Sequence, residues 1–172
     1  LKDYEKGANL YLRMAKKEPE LEEEMLMQAA LIQAEFDKEL AIESLDQIAK
    51  KGQTKAKEAS YNRLILSFEM GYYDELANSK AELLEQVPDE KKAMAHLYLG
   101  NSLLHMKKYA EAIIEFKETD LNQTALTSII EAAYLAEDLD SLDWALSRMD
   151  SARGRLFRAK LLKKLGNIDL AR

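Results

Sequence analysis

The chain has 172 residues, no cysteine and a net charge of −6, and 47% of its side chains are apolar. That apolar share is enough for a continuous core and too high for a disordered tail. The missing cysteines exclude a disulfide framework, thiol catalysis and cysteine-based zinc sites, and the acidic balance argues against a chain that coats nucleic acid.

Six glycines and two prolines are few for this length, which favours long helices joined by tight turns. The first segment holds Gly7-x3-Tyr11 and ends at Glu18-Pro19. It reads as the second helix of a hairpin whose first helix lies upstream. Further breaks fall at Lys51-Gly52, Met70-Gly71, Val87-Pro88-Asp89, Met106-Lys107-Lys108, Glu137-Asp138 and Leu165-Gly166. Between them, segments of roughly 12 to 17 residues predict helices of three to four turns. Tyr61, Leu64, Ile65 and Phe68 make an i, i+3, i+4, i+7 stripe, as do Leu126, Ile129, Ile130 and Ala133, the signature of one buried helix face. No alternating strand pattern is present. No apolar run approaches the roughly 20 residues that cross a bilayer, so this segment reads as soluble, without membrane insertion. The compartment is left open, with the cytoplasm favoured over an exported one.

A repeat emerges when the large residue after each turn is used as a marker. Tyr4, Phe36, Tyr73, Tyr109, Leu139 and Ile168 are separated by 32, 37, 36, 30 and 29 residues, a two-helix period of about 34. Pro19 follows Tyr4 by 15 residues and Pro88 follows Tyr73 by 15. Proline at one phase stops the second helix at one point. The units run over residues 1–19, 20–53, 54–89, 90–121, 122–150 and 151–172.

Residues 96–116 carry His96-x2-Leu99-Gly100-x2-Leu103, then Tyr109 and Ala112-x3-Phe116. With this pattern the chain resembles the tetratricopeptide repeat (TPR) family. Gly100 and Ala112 let antiparallel helices approach while Leu99, Leu103, Tyr109 and Phe116 fill the space around them. Four positions depart from the pattern. His96 stands where a bulky apolar residue is usual, Lys107 replaces a turn glycine, and Thr124 stands where proline would be. Glu39 occupies a small-residue position, with Ala41 and Leu45 displaced by two.

The resemblance implies an all-α fold, a right-handed α-α superhelix of stacked antiparallel hairpins with first helices lining a concave face. It implies a non-enzymatic scaffold or adaptor holding a peptide or partner helix in that groove. In the family, the residue after the packing glycine and the one four further on face the groove; here these are Asn101 and His105. Shifted by the intervals, they give Gln28 and Ile32, Ile65 and Glu69, Glu131 and Leu135, and Lys160 and Lys164. The chain reads as part of a longer array, a monomer or weakly self-associating through apolar surface on its end helices.

Other constellations read as structure. His96 and His105 are nine residues apart, which at about 100° per residue points them to opposite sides of one helix. One metal ion cannot take both, and no metal or other cofactor is expected. The acidic run Glu18 to Glu24 suits a helix start. Asp138, Asp140 and Asp143 lack the glycine and terminal glutamate of a calcium loop and read as a turn and cap. Asn122-Gln123-Thr124 matches a glycosylation acceptor, a pattern common by chance. Neither histidine lies in a setting for nucleophilic catalysis, and no phosphate-cradling loop is present.

The far end stands out. Residues 148–172 hold eight basic side chains against Asp150 and Asp169, so they carry +6 and leave −12 on residues 1–147. A solvated or inter-repeat face accounts for this, and so does a surface for a protein partner with an acidic segment. The alternative function is a nucleic-acid-binding repeat protein using that basic helix. It ranks behind, because only Phe157 and Trp144 are nearby for base stacking.

Overall fold

Each apolar stripe read from the sequence lies on an α-helix in the computed structural model, which describes residues 2–52, 54–149 and 151–166. The described residues form helices and turns, with no strand among them. The chain divides into two units, residues 1–95 and 96–172, a division the repeat pattern does not foreshadow. The boundary falls inside a helix.

In the first unit α1 (Lys2–Lys17) packs on α2 (Glu22–Gln33), α2 on α3 (Lys38–Lys51), and α3 on α4 (Ala56–Glu69). Met27, Ala30, Leu45, Ile48 and Ala59 form a core cluster there, flanked by Leu26, Ala49 and Leu66. Ala41 and Leu45 are fully buried while Glu39 is exposed. The pair displaced by two residues therefore fills the same i, i+4 small-then-large positions as Ala112 and Phe116.

The next second helix is broken. It is split into α5 (Tyr73–Asn78) and α6 (Lys80–Gln86) at Ser79, whose hydroxyl donates to the Glu75 carbonyl at 2.8 Å. A serine hydroxyl competing for a carbonyl one turn back loosens a helix at that point. Leu76 and Leu83, seven residues apart, are both buried, so the apolar stripe survives the break. The two prolines produce the same local event. Pro19 begins a 3₁₀ turn (Pro19–Leu21), and Pro88 immediately precedes another (Asp89–Lys91), each leading into the next first helix. Val87 is extended, as the residue before proline prefers.

α7 (Lys92–His105) crosses the unit boundary. Within the second unit follow α8 (Tyr109–Lys117), α9 (Gln123–Ala136), α10 (Leu139–Leu146) and α11 (Ala152–Lys164). α8 and α10 have only 9 and 8 residues, against 14 in α7 and α9. These short second helices are why the last two sequence intervals contract. They are also shorter than the segment lengths expected from sequence. Ile168, the last marker, lies outside the described residues.

Three hairpin turns, α4–α5, α7–α8 and α9–α10, share a backbone signature that the α2–α3 turn lacks. Gly71, Lys107 and Glu137 have φ of 78°, 61° and 59°, each two residues before a marker residue. Each turn is closed by the six-to-one hydrogen bond of a Schellman motif: Tyr72 N–H to Ser67 O, Lys108 N–H to Leu103 O and Asp138 N–H to Ala133 O, all at 2.9 Å. Lys107 thus takes a left-handed conformation that disfavours any residue with a Cβ. Two of the first helices, α9 and α11, are capped by side chains: Asn122 accepts the Ala125 N–H at 3.1 Å and Ser151 the Gly154 N–H at 3.2 Å.

Gly100 faces the ring of Phe116. A Cβ there would stand 2.6 Å from Cε1 of a side chain that is itself fully buried. Gly154 is equally tight, 2.5 Å from Leu146 Cδ2 and 3.3 Å from Ile130 Cδ1. The sequence reading did not single it out.

Two substitutions with opposite signs follow. Gly100→Leu overpacks the α7–α8 contact and costs about 1–3 kcal/mol or more, although leucine is the better helix former. A raised melting temperature would rule out the close-packing role. Lys107→Gly removes the left-handed penalty and should stabilise by about 1 kcal/mol. Equal or lower stability in urea would show that the lysine side chain contributes more than its backbone costs.

Candidate interaction surface

The groove residues expected from sequence have different surroundings in the first unit. Gln28 is half-buried and donates to Glu24 at 3.1 Å. Hydrogen bonds from Lys55 and Gln28 hold the Glu24 carboxyl below the ordinary glutamate range. Ile32 is turned toward α1, where its Cδ1 lies 3.8 Å from the Cβ position of Gly7. Ile65 is half-buried, and exposed Glu69 accepts from Lys38 at 2.6 Å. Ile32 therefore packs inside the α1–α2 hairpin. Shifting by the marker intervals of 36 and 37 residues locates this repeat along the chain, but does not fix which face of the helix a given side chain shows.

In the second unit Asn101 is half-buried and its Nδ2 donates to the Leu97 carbonyl at 2.8 Å, while His105 is exposed. His96 has turned inward, its Nδ1 lying 2.9 Å from the buried Glu115 carboxylate. A polar residue stands at the bulky apolar position of the pattern because a buried acid faces it.

α9 and α11 form the best-defined surface. Arg153 donates to Glu131 at 3.4 Å, Phe157 stacks on Tyr134 with ring centres 4.3 Å apart at 16°, and Lys164 donates to Glu137. These contacts advance along both helices in one direction, so α9 and α11 lie side by side with the same polarity, as successive first helices of an array do. The Glu137 bond raises the Lys164 ammonium above its ordinary value. Leu135 remains 44% exposed. Lys160 is exposed and makes no ion pair among the described residues.

Four of the eight basic side chains at this end are engaged within the fold. Besides Arg153 and Lys164, Arg158 grips Asp143 through two nitrogens at 2.6 and 3.2 Å. The Arg148 guanidinium lies 3.8 Å from the centre of the Trp144 ring, with the Lys117 ammonium 4.9 Å away from it. Charge read as an outward field is therefore substantially an internal fastening between α11 and the hairpin before it. Arg172 lies outside the described residues.

Asp138 is the N-cap of α10, accepting the Ser141 N–H at 3.0 Å. Burial pushes its carboxyl up, but hydrogen bonds from Ser141 and the nearby Lys117 outweigh it and leave it below the ordinary aspartate value. The acidic triplet is thus a cap at Asp138 and an ion pair at Asp143.

The helix hairpins, left-handed turns and small-residue contacts define the fold as an all-α, TPR-like array. No protein-family model and no curated protein matches the chain. Among solved structures it is similar to MamA, a TPR-like repeat protein. For the MamA RS-1 ArsTM double mutant the TM-score is 0.60 at 15% identity, covering 96% of this chain and 88% of that one. For MamA 41-end from Desulfovibrio magneticus RS-1 it is 0.58 at 15%, covering 96% and 89%. At such identity the likeness is one of fold. Among the described residues no helix is long and apolar enough to cross a membrane.

Asp138→Ala should cost about 1 kcal/mol at neutral pH. Because the folded carboxyl titrates below its unfolded value, the charged cap stabilises fully above about pH 5. That contribution is lost as pH falls through the unfolded value near ~3.9 toward the lower folded one. The stability gap between wild type and variant, measured by urea unfolding, should narrow over that window. A gap of constant size down to pH of about 3 would assign the cap to shape rather than charge.

Proposed function

We propose that the chain is a non-enzymatic protein-interaction module, a scaffold or adaptor that engages an extended peptide or partner helix along its first helices. In the second unit that contact runs over Asn101, His105, Glu131, Leu135, Lys160 and Lys164. In the first unit it takes Gln28, Ile65 and Glu69 and leaves out Ile32. The observation that carries the reading is the α9–α11 face. There, exposed Leu135 and the Tyr134–Phe157 stack offer apolar contact between two ion pairs, with Lys160 left for an acidic group.

Such a face suits side-chain recognition better than a phosphate backbone. Three of the basic side chains at this end already hold carboxylates, and a nucleic acid would have to compete with them for each contact. Asn101 uses its Nδ2 internally, so its side-chain oxygen is the group that meets a partner's backbone N–H.

The test begins with affinity capture using the chain as bait, partners being identified by mass spectrometry. Lys160→Glu should then weaken the captured partner by about 0.5–1 kcal/mol at low salt with little change in stability. The loss should shrink as screening approaches its length near 8 Å at about 0.15 M. Unchanged affinity at low salt would move the contact off this face. Salt-dependent binding of a labelled oligonucleotide, with no protein captured, would favour the nucleic-acid reading.

A further inference from the structure

In the first unit, α1 and the α5–α6 pair hold equivalent places in the repeat. Tyr4 and Tyr73 are 69 residues apart, and so are Pro19 and Pro88. Each turns one face inward. Ala8 and Ala15 are buried where α1 packs on α2, and Leu76 and Leu83 are buried where the pair packs on α4. The opposite faces are uncovered. On α1, Lys2, Lys6, Asn9, Arg13 and Lys16 are all exposed, and alternating steps of four and three residues keep them in one stripe along the helix.

The equivalent stripe has the other sign. Sixty-nine residues on from Lys6, Asn9, Arg13 and Lys16 stand Glu75, Asn78, Glu82 and Glu85, and these four are exposed as well. Five cations and two carboxylates give α1 a charge of +3, and one cation and four carboxylates give the α5–α6 pair −3. Neither stripe is neutralised within the unit. Lys6 has only a loose pair with exposed Asp3 at 3.8 Å, Arg13 donates to the Asn9 carbonyl of its own helix, and Glu82 accepts from uncharged Gln86. Among the described residues no ion pair holds Arg13, Lys16, Glu75, Glu82 or Glu85.

We propose that these stripes form an interface between two copies of this chain, the α1 of one copy lying along the α5–α6 pair of another. With the helices running in the same direction, Lys6, Arg13 and Lys16 meet Glu75, Glu82 and Glu85, and Asn9 meets Asn78. Both stripes span ten residues from first rung to last, about 15 Å of helix. Leu10, 50% exposed beside the α1 stripe, adds apolar contact. A polyanion would satisfy α1 and leave the glutamates without a cation, whereas a second copy satisfies both stripes. Each copy supplies one stripe of each sign, so the contact is heterologous. Because its ion pairs are exposed, the association is weak and sensitive to salt.

Sedimentation of the 172-residue chain over a range of concentrations tests this. At low salt the weight-average mass should rise with concentration, and the rise should fade toward about 0.15 M salt, where the screening length is near 8 Å. Two triple variants separate the stripes: Lys6→Glu with Arg13→Glu and Lys16→Glu, and Glu75→Lys with Glu82→Lys and Glu85→Lys. All six positions are exposed, so both variants should keep the wild-type melting curve. Each alone should associate about tenfold more weakly or worse. An equimolar mixture should regain the wild-type association, because the acidic α1 of one variant finds the basic α5–α6 pair of the other. The reversals take the net charge from −6 to −12 in one variant and to 0 in the other, so bulk attraction does not bring them together. A wild-type chain that stays monomeric at low salt up to about 1 mM overturns the proposal, and so does a mixture no heavier than its parts. Loss of association in the α1 variant alone would put some other surface opposite α1 and overturn the pairing.

Discussion

The contact between a helix surface with little side chain and a large residue of the neighbouring helix governs this architecture. Helices of 8 to 14 residues are marginal alone in water, so each depends on how closely its neighbour can approach. Gly100 against Phe116 sets that approach in one hairpin, and Gly154 against Leu146 and Ile130 sets it one hairpin on. Full burial of a phenylalanine contributes about 1.5–3 kcal/mol, more than the roughly 1 kcal/mol that a glycine costs within a helix. The glycines remain because their cost is smaller than the packing they permit.

Close approach in turn fixes the turns. Three of the hairpins use one connector geometry, the Schellman closure with a left-handed residue, at Gly71, Lys107 and Glu137 alike. At the latter two positions the sequence tolerates a strained residue, since the packing of the hairpin exceeds a penalty of about 1–2 kcal/mol. That imbalance explains how the repeat can be so degenerate in sequence and still regular in backbone. A turn glycine can be lost without loss of the turn, whereas loss of the small residue at Gly100 would separate the helices.

What the sequence made legible follows from the range of the interactions involved. Helix stripes, proline stops and the Ala112–Phe116 pairing act within a few residues of each other, and the repeat period could be read from them. The Ser79 break was not visible, because a hydroxyl bonding to a carbonyl four residues back leaves the apolar periodicity of Leu76 and Leu83 intact. Gly154 sat unnoticed in a basic stretch, since its constraint comes from Leu146 and Ile130 rather than from neighbours in the chain. The groove residues were carried along by interval counting, which cannot tell that Ile32 turns toward Gly7.

The charge asymmetry illustrates the same limit and alters the functional argument. Asp143 and Arg158, Glu131 and Arg153, and Glu137 and Lys164 are separated by 15, 22 and 27 residues, so counting charges along the chain assigns them to opposite camps. Folding brings each pair together. Individually the exposed pairs contribute little, and the two-nitrogen grip on Asp143 is the strongest of them by geometry. Their collective effect is on what remains available. With these cations engaged, long-range attraction of a polyanion is reduced. In the proposed interaction role, recognition rests on short-range features, namely an exposed leucine, an aromatic stack and Lys160 between two closed ion pairs. A surface of that kind discriminates by fit over a few side chains, which is the demand that a protein partner makes.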